Sequence, residues 1–211
     1  VYYFDGENGN DANDGVSSAK AKRALSALSQ IASAPRPPTK ILLKAGTVFE
    51  GRVSVTGYTS TAEKPLIFDR YGSETEYPLI RGGGGSVFSV TGENVRIYNL
   101  EVTGPTASQG IAVFAGKNGE NTGVVIKGCY VHEIGWNWTS DKTVEEEADN
   151  MGNYNPREIC PDSAYQYATC GIYLDSPNPE NSTTPRWFNH CWILNNKVTE
   201  VGRCGIFADS A

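Results

Sequence analysis

Three stretches of this chain superpose without gaps: IYNLEVTG from Ile97, IKGCYVHEIG from Ile126 and ILNNKVTEVG from Ile193. In each, Asn99, Gly128 or Asn195 stands two places after the Ile, and Val102, Val131 or Val198 five places after it. Each stretch leads into a second strand-like run that opens on Gly-Ile: GIAVFA at Gly110, GIYLDS at Gly171 and GIFADS at Gly205. Ile97 and Ile126 are 29 residues apart, and Gly171 and Gly205 are 34 apart. Repetition at a period of about 20 to 50 residues is the mark of stacked repeats, in which each unit buries its apolar face against the next. The longer offsets, 67 from Ile126 to Ile193 and 61 from Gly110 to Gly171, require extra sequence to loop out between residues 135 and 190. Asn or Gly at the mid-repeat corner fits a residue held at positive φ, where those types cost least.

The rest of the chain agrees with a turn-rich β protein. After Pro38, short β-prone runs (ILLKAG, RVSVTG, PLIFDRYG, PLIRGGGG, VFSVTG) follow one another too closely for intervening helices. Before it, VYYF reads as a strand and DGENGNDANDG as an Asx-rich turn, whose oxygens would also suit calcium although it lacks the terminal Glu of an EF-hand loop. Leu25, Leu28 and Ile31 recur at helical spacing between Ser17 and Pro35, which predicts one amphipathic helix of about four turns. A net charge of -6 with 18 Lys+Arg does not supply the basic surface that nucleic acid requires. No apolar run approaches the 18 or so residues of a membrane span. The five cysteines form no C-x-x-C pair; Cys129 reads as a buried thiol, and Cys160 and Cys170 bracket a loop that a disulfide would close.

Short strands, an Asn/Gly corner and stacked aliphatics at this period resemble the right-handed parallel β-helix, pectate-lyase-like superfamily of secreted carbohydrate-active proteins. The opening segment, from VYYFDGENGNDANDG through LLKAGTVFEG and TAEKPLIFDRYG to PLIRG, is similar to that of many secreted β-helix proteins. The resemblance implies an all-β fold, a right-handed parallel β-helix solenoid with an N-terminal capping α-helix. Residues 1–38 would form the strand, loop and capping helix, and residues 39–211 the coils, with long insertions at about 136–169 and 176–187. It also implies a secreted or cell-surface protein. The polygalacturonase motifs Asn-Thr-Asp, Asp-Asp and Gly-His-Gly are absent, as is an Arg-x-x-Lys arrangement on a coil like that of classical pectate lyases.

In such a stack, equivalent residues form ladders at about 4.8 Å per rung. With Ile172 and Leu174 inward, Tyr173 and Asp175 face outward, and Phe207 and Asp209 repeat the pattern on the next rung. Paired carboxylates about 5 Å apart match a retaining glycosidase, and the same pair would hold Ca²⁺ against a uronate. Glu133 and Glu200 are equivalent in the same way, and His132 stands beside Glu133. The insertion brings Trp136, Trp138 and Arg157; the shorter one brings Arg186 and Trp187. The candidate catalytic residues are therefore Asp175, Asp209 and Arg186. Tyr173, Phe207, Trp136, Trp138, Arg157 and Trp187 are the candidates for sugar contact.

Two functions compete on these residues. The first is a polysaccharide-binding or polysaccharide-degrading protein, the N-terminal part of a lyase or glycoside hydrolase. The second is a non-catalytic structural, adhesive or filament-forming protein. In the latter the open coil end after GIFADS would support self-association.

Overall fold

The computed structural model describes residues 1–28, 31, 40–135, 169–176, 185–202 and 204–209. The strands are β1 (Tyr2–Phe4), β2 (Lys40–Lys44), β3 (Val48–Glu50), β4 (Val53–Val55), β5 (Leu66–Tyr71) and β6 (Leu79–Arg81). They continue with β7 (Ser86–Thr91), β8 (Val95–Tyr98), β9 (Glu101–Gly104), β10 (Gln109–Phe114), β11 (Gly119–Thr122) and β12 (Val125–Lys127). The last are β13 (Tyr130–Ile134), β14 (Cys170–Asp175), β15 (Arg186–Asn189), β16 (Trp192–Leu194), β17 (Lys197–Val201) and β18 (Cys204–Asp209).

The fold is all-β and its sheets are parallel. Sheet A runs β1-β2-β5-β8-β12-β16, sheet B β3-β6-β9-β13-β17 and sheet C β4-β7-β10-β14-β18, with β11 and β15 as a separate pair. Among the described residues the chain passes from A to B to C five times, starting at β2. Residues 136–168 lie between a sheet B strand and a sheet C strand, and 177–184 between β14 and β15, so both interruptions leave the rungs stacked.

Register follows from burial, because a one-residue slip would turn every inward side chain out. In sheet A, Ile41, Phe68, Ile97, Ile126 and Ile193 stack in line. Sheet B aligns Phe49, Ile80, Val102, Val131 and Val198. Sheet C aligns Val53, Phe88, Ile111, Ile172 and Ile206. Up to Ile126, Val131 and Ile172 these ladders meet in one apolar core, against which Ile193 and Val198 are partly buried, while Ile206 on the last rung is 51% exposed. Within the core Phe68 and Phe88 pack edge to face at 5.0 Å. Each such side chain taken fully out of water stabilises the fold by about 1.5–3 kcal/mol.

The corner expected at Asn99, Gly128 and Asn195 is present, with φ of 52°, 68° and 52°. Glycine is required at Gly128 for a second reason, since a Cβ there would lie 2.7 Å from Asn99 Oδ1. Cys129 is buried, and burial pushes its thiol up to about 12.

The N-terminal helix is a correction. Instead of one α-helix from Ser17, the structure has two short 3-10 turns, Ser18–Lys20 and Leu25–Ala27, separated by extended chain. Lys22 N donates to Tyr3 O, and Asp11 Oδ1 accepts from the N–H groups of Arg23 and Ala24. Those bonds take donors that a helix would have used. Leu25 and Leu28 are buried all the same, so their spacing reported an apolar face correctly, but the stretch from Ser17 to Ala27 is not α-helical. The Asx-rich loop uses its oxygens on the backbone: Asp5 accepts from Glu7 N and Asn8 N, Asn10 from Ala12 N and Asp14 from Val16 N. The Lys22 ammonium takes the carbonyls of Asp11 and Asn13.

Candidate functional site

Two outer faces bear the residues of chemical interest. On sheet C, Ser89, Ala112, Tyr173 and Phe207 are in register, and beside them Thr91, Phe114, Asp175 and Asp209. Tyr173 points away from the main core, and with Ala112 and Cys170 it forms a second apolar cluster joined by Phe114, Cys204 and Phe207. The ring of Tyr173 lies parallel to that of Phe207 at 5.8 Å and edge-on to Phe114 at 6.1 Å. Tyr173 is only 5% exposed and Ala112 is fully buried, so this outward ladder is covered. Asp175 is half-buried at the end of β14. The backbone of Asp209 stands beside it on the next rung.

Arg186 and Trp187 open β15, which pairs with β11. The Arg186 guanidinium donates to Ala115 O at 3.1 Å and to Asn118 Oδ1 at 3.3 Å, while Ala115 N donates to Asp175 O at 2.8 Å. Ala115 therefore links Arg186 to the Asp175 end of sheet C. Sequence reasoning missed what holds this loop: Asn121, fully buried, accepts from Gly116 N and Lys117 N and donates to Lys117 O and Gly119 O. Trp187 is 42% exposed, which leaves a ring face for a ligand. Trp136, Trp138, Arg157 and Cys160 lie outside the described residues.

The outer face of sheet B is open and polar. His132 Nε2 lies 3.0 Å from Glu101 Oε1, one rung below. A carboxylate only accepts, so Nε2 carries a proton, which in the neutral ring leaves the lone pair on Nδ1. The imidazole stacks on Tyr130 at 4.4 Å, and Lys197 Nζ sits 4.3 Å over the Tyr130 ring. Thr103 Oγ1 donates to Glu133 Oε2 at 3.1 Å. Consecutive strand residues normally face opposite ways, yet His132 and Glu133 both lie outward between the buried Val131 and Ile134. The cause is a bulge: Glu133 has φ of 52°, and the register to β9 shifts between His132 and Ile134. Glu200 repeats this at φ of 53° on β17. His132, Glu133 and Glu200 place one ligand atom each within 4.8 Å of the others. The equivalence of HEIG and TEVG was visible in the sequence; the partnership of His132 with Glu101, 31 residues earlier, was not.

No protein-family model matches this chain, and neither does any curated protein sequence. Among solved structures it superposes on the GH136 lacto-N-biosidase from Eubacterium ramulus. The TM-score is 0.63 and the identity 19%, over 98% of this chain and 36% of that protein's. The native form of the same protein gives 0.61 and 19%, over 92% and 34%. An alginate lyase from Paenibacillus sp. str. FPU-7 gives 0.48 and 18%, over 82% and 55%. The chain thus spans about a third of the length of the lacto-N-biosidase, with which it shares the fold. Both neighbours are carbohydrate-active enzymes.

Proposed function

We propose that sheets A, B and C are the three faces of a right-handed parallel β-helix, and that the chain is part of a secreted polysaccharide-degrading enzyme whose carboxylate pair is Asp175 and Asp209. The observation that carries this reading is their register: they occupy the same position on adjacent parallel strands. Such strands are about 4.8 Å apart. Retaining glycosidases need two carboxyl groups about 5–5.5 Å apart, one to protonate the leaving oxygen and one to attack the anomeric carbon. A ladder on a rigid sheet would supply that spacing without reorganisation. The fold shared with a lacto-N-biosidase supports the same reading.

Burial of Tyr173 moves the sugar-stacking role from the sheet C ladder to Trp187, the exposed aromatic beside Arg186. Arg186, anchored on Ala115 O, is positioned to bind a polar group of the glycan near Asp175. The test is turnover of a panel of polysaccharides by the wild type, Asp175→Asn and Asp209→Asn, reading reducing ends and the ultraviolet absorbance of unsaturated products. Reducing ends lost by about 10²-fold or more in both variants, with unchanged thermal unfolding, is the expected result. Unsaturated products would replace the hydrolase by a lyase. Absence of turnover across the panel from folded protein would overturn the enzyme reading in favour of a structural or adhesive protein.

A further inference from the structure

On the outer face of sheet B, away from the Asp175/Asp209 pair, we propose a binding site for a divalent transition-metal ion of the Zn²⁺ class, ligated by His132 Nδ1 and the carboxylates of Glu133 and Glu200. Among the described residues this is the one place where three such ligand atoms converge, all within 4.8 Å of one another. Mixed nitrogen and carboxylate donors suit Zn²⁺ and its neighbours rather than Ca²⁺, which takes oxygen alone.

The imidazole is prepared for this role from outside the ligand set. Glu101 accepts the Nε2 proton at 3.0 Å and Tyr130 packs against the ring, so the tautomer and the direction of Nδ1 are both set. A carboxylate behind a ligating histidine is the usual support of such sites. Thr103 orients Glu133 in the same manner.

The spacing also favours an ion. His132 Nδ1 and Glu133 Oε2 are 3.7 Å apart, too far for a hydrogen bond. Two ligands about 2.1 Å from one ion, at tetrahedral to trigonal angles, stand about 3.4–3.6 Å apart. The charges agree: Glu133 and Glu200 converge at His132 with Glu101 behind it, and, among the described residues, Lys197 is held over the neighbouring Tyr130 ring. A divalent ion would relieve that repulsion. Glu133 and Glu200 both sit in the left-handed region, a conformation that Glu adopts at a cost and that brings them beside His132 and Thr199. Three protein ligands leave a coordination position for water or for a ligand oxygen.

Titration calorimetry of the 211-residue chain with Zn²⁺, and the visible absorption spectrum with Co²⁺, test the site. To keep thiols from competing, both are run on protein carrying Cys191→Ser and Cys204→Ser. One equivalent should bind, and Co²⁺ should show the bands of a four- or five-coordinate nitrogen and oxygen site. His132→Gln and Glu200→Gln should abolish or weaken binding at least tenfold, and Glu101→Gln by about 10-fold through its hold on the imidazole. Glu50→Gln, on the same sheet but paired with Arg81, should leave affinity unchanged. No binding by the wild-type site, or equal affinity in His132→Gln and Glu200→Gln, would overturn the proposal. Circular dichroism of each variant separates loss of the site from loss of the fold.

Discussion

The outer faces of sheets B and C are made by the same rungs and have opposite characters. On sheet C strict alternation sends Ile172 and Leu174 into the main core and Tyr173 to the other side, where it is buried again in a second apolar cluster. On sheet B the alternation is broken at Glu133 and Glu200, and these two outward carboxylates are exposed to solvent. A regular strand thus yields a buried aromatic ladder with the half-buried Asp175 at its end, whereas a left-handed bulge doubles the side chains delivered to the exposed face. Strain of this kind collects where side chains are needed for something other than packing.

The sharpest way to break this contrast is to truncate one aromatic on each face. Tyr173→Ala should cost about 3–5 kcal/mol, as for other buried aromatics, read from the denaturant midpoint at unchanged slope. Tyr130→Ala, on the open face, should cost well under that. Equal losses would mean that the two faces do not differ. The next effect is at Gly171, which opens the rung in β14: a Cβ there would lie 2.8 Å from Gly205 O and 2.4 Å from Val198 Cγ1. Gly171→Ala should therefore destabilise by about 1–3 kcal/mol, as overpacking does, and lower the thermal midpoint.

A smaller change of the opposite sign is expected on sheet B. Glu200→Asn replaces a Glu at φ of 53° with a residue that tolerates the left-handed region, and should stabilise by up to about 1 kcal/mol in metal-free buffer. The same variant should lose the proposed ion, so that stability and binding move apart. A loss of stability would show that Glu200 is retained for the fold. The smallest effect distinguishes thiols: Cys129, buried with its thiol pushed up to about 12, should resist alkylation in the native state, while the half-buried Cys204 reacts.

Much of this architecture was legible because its causes are local. The stacking of Ile97, Ile126 and Ile193, of Gly110, Gly171 and Gly205, and the corner at Asn99, Gly128 and Asn195 follow from a repeated pattern and from the few residue types that accept positive φ. The same reasoning aligned Asp175 with Asp209 across 34 residues. It failed between Ser17 and Ala27, where apolar spacing suited a helix but Asp11 and Tyr3 took the backbone donors. No property of Leu25, Leu28 or Ile31 discloses which distant groups will compete for those donors.

What the sequence by itself determined is therefore the register: which residues share a rung, which face of a strand each occupies, and where the corners fall, because alternation and stacking repeat at short range. Only the tertiary structure decided what covers each face. Tyr173 was assigned its direction by alternation and its burial by contact with Phe114 and Phe207 on neighbouring rungs. His132 was assigned its tautomer by Glu101, and its adjacency to Glu133 by a bulge. Direction is a property of one strand, whereas exposure and protonation are set by groups that meet only after the rungs have stacked.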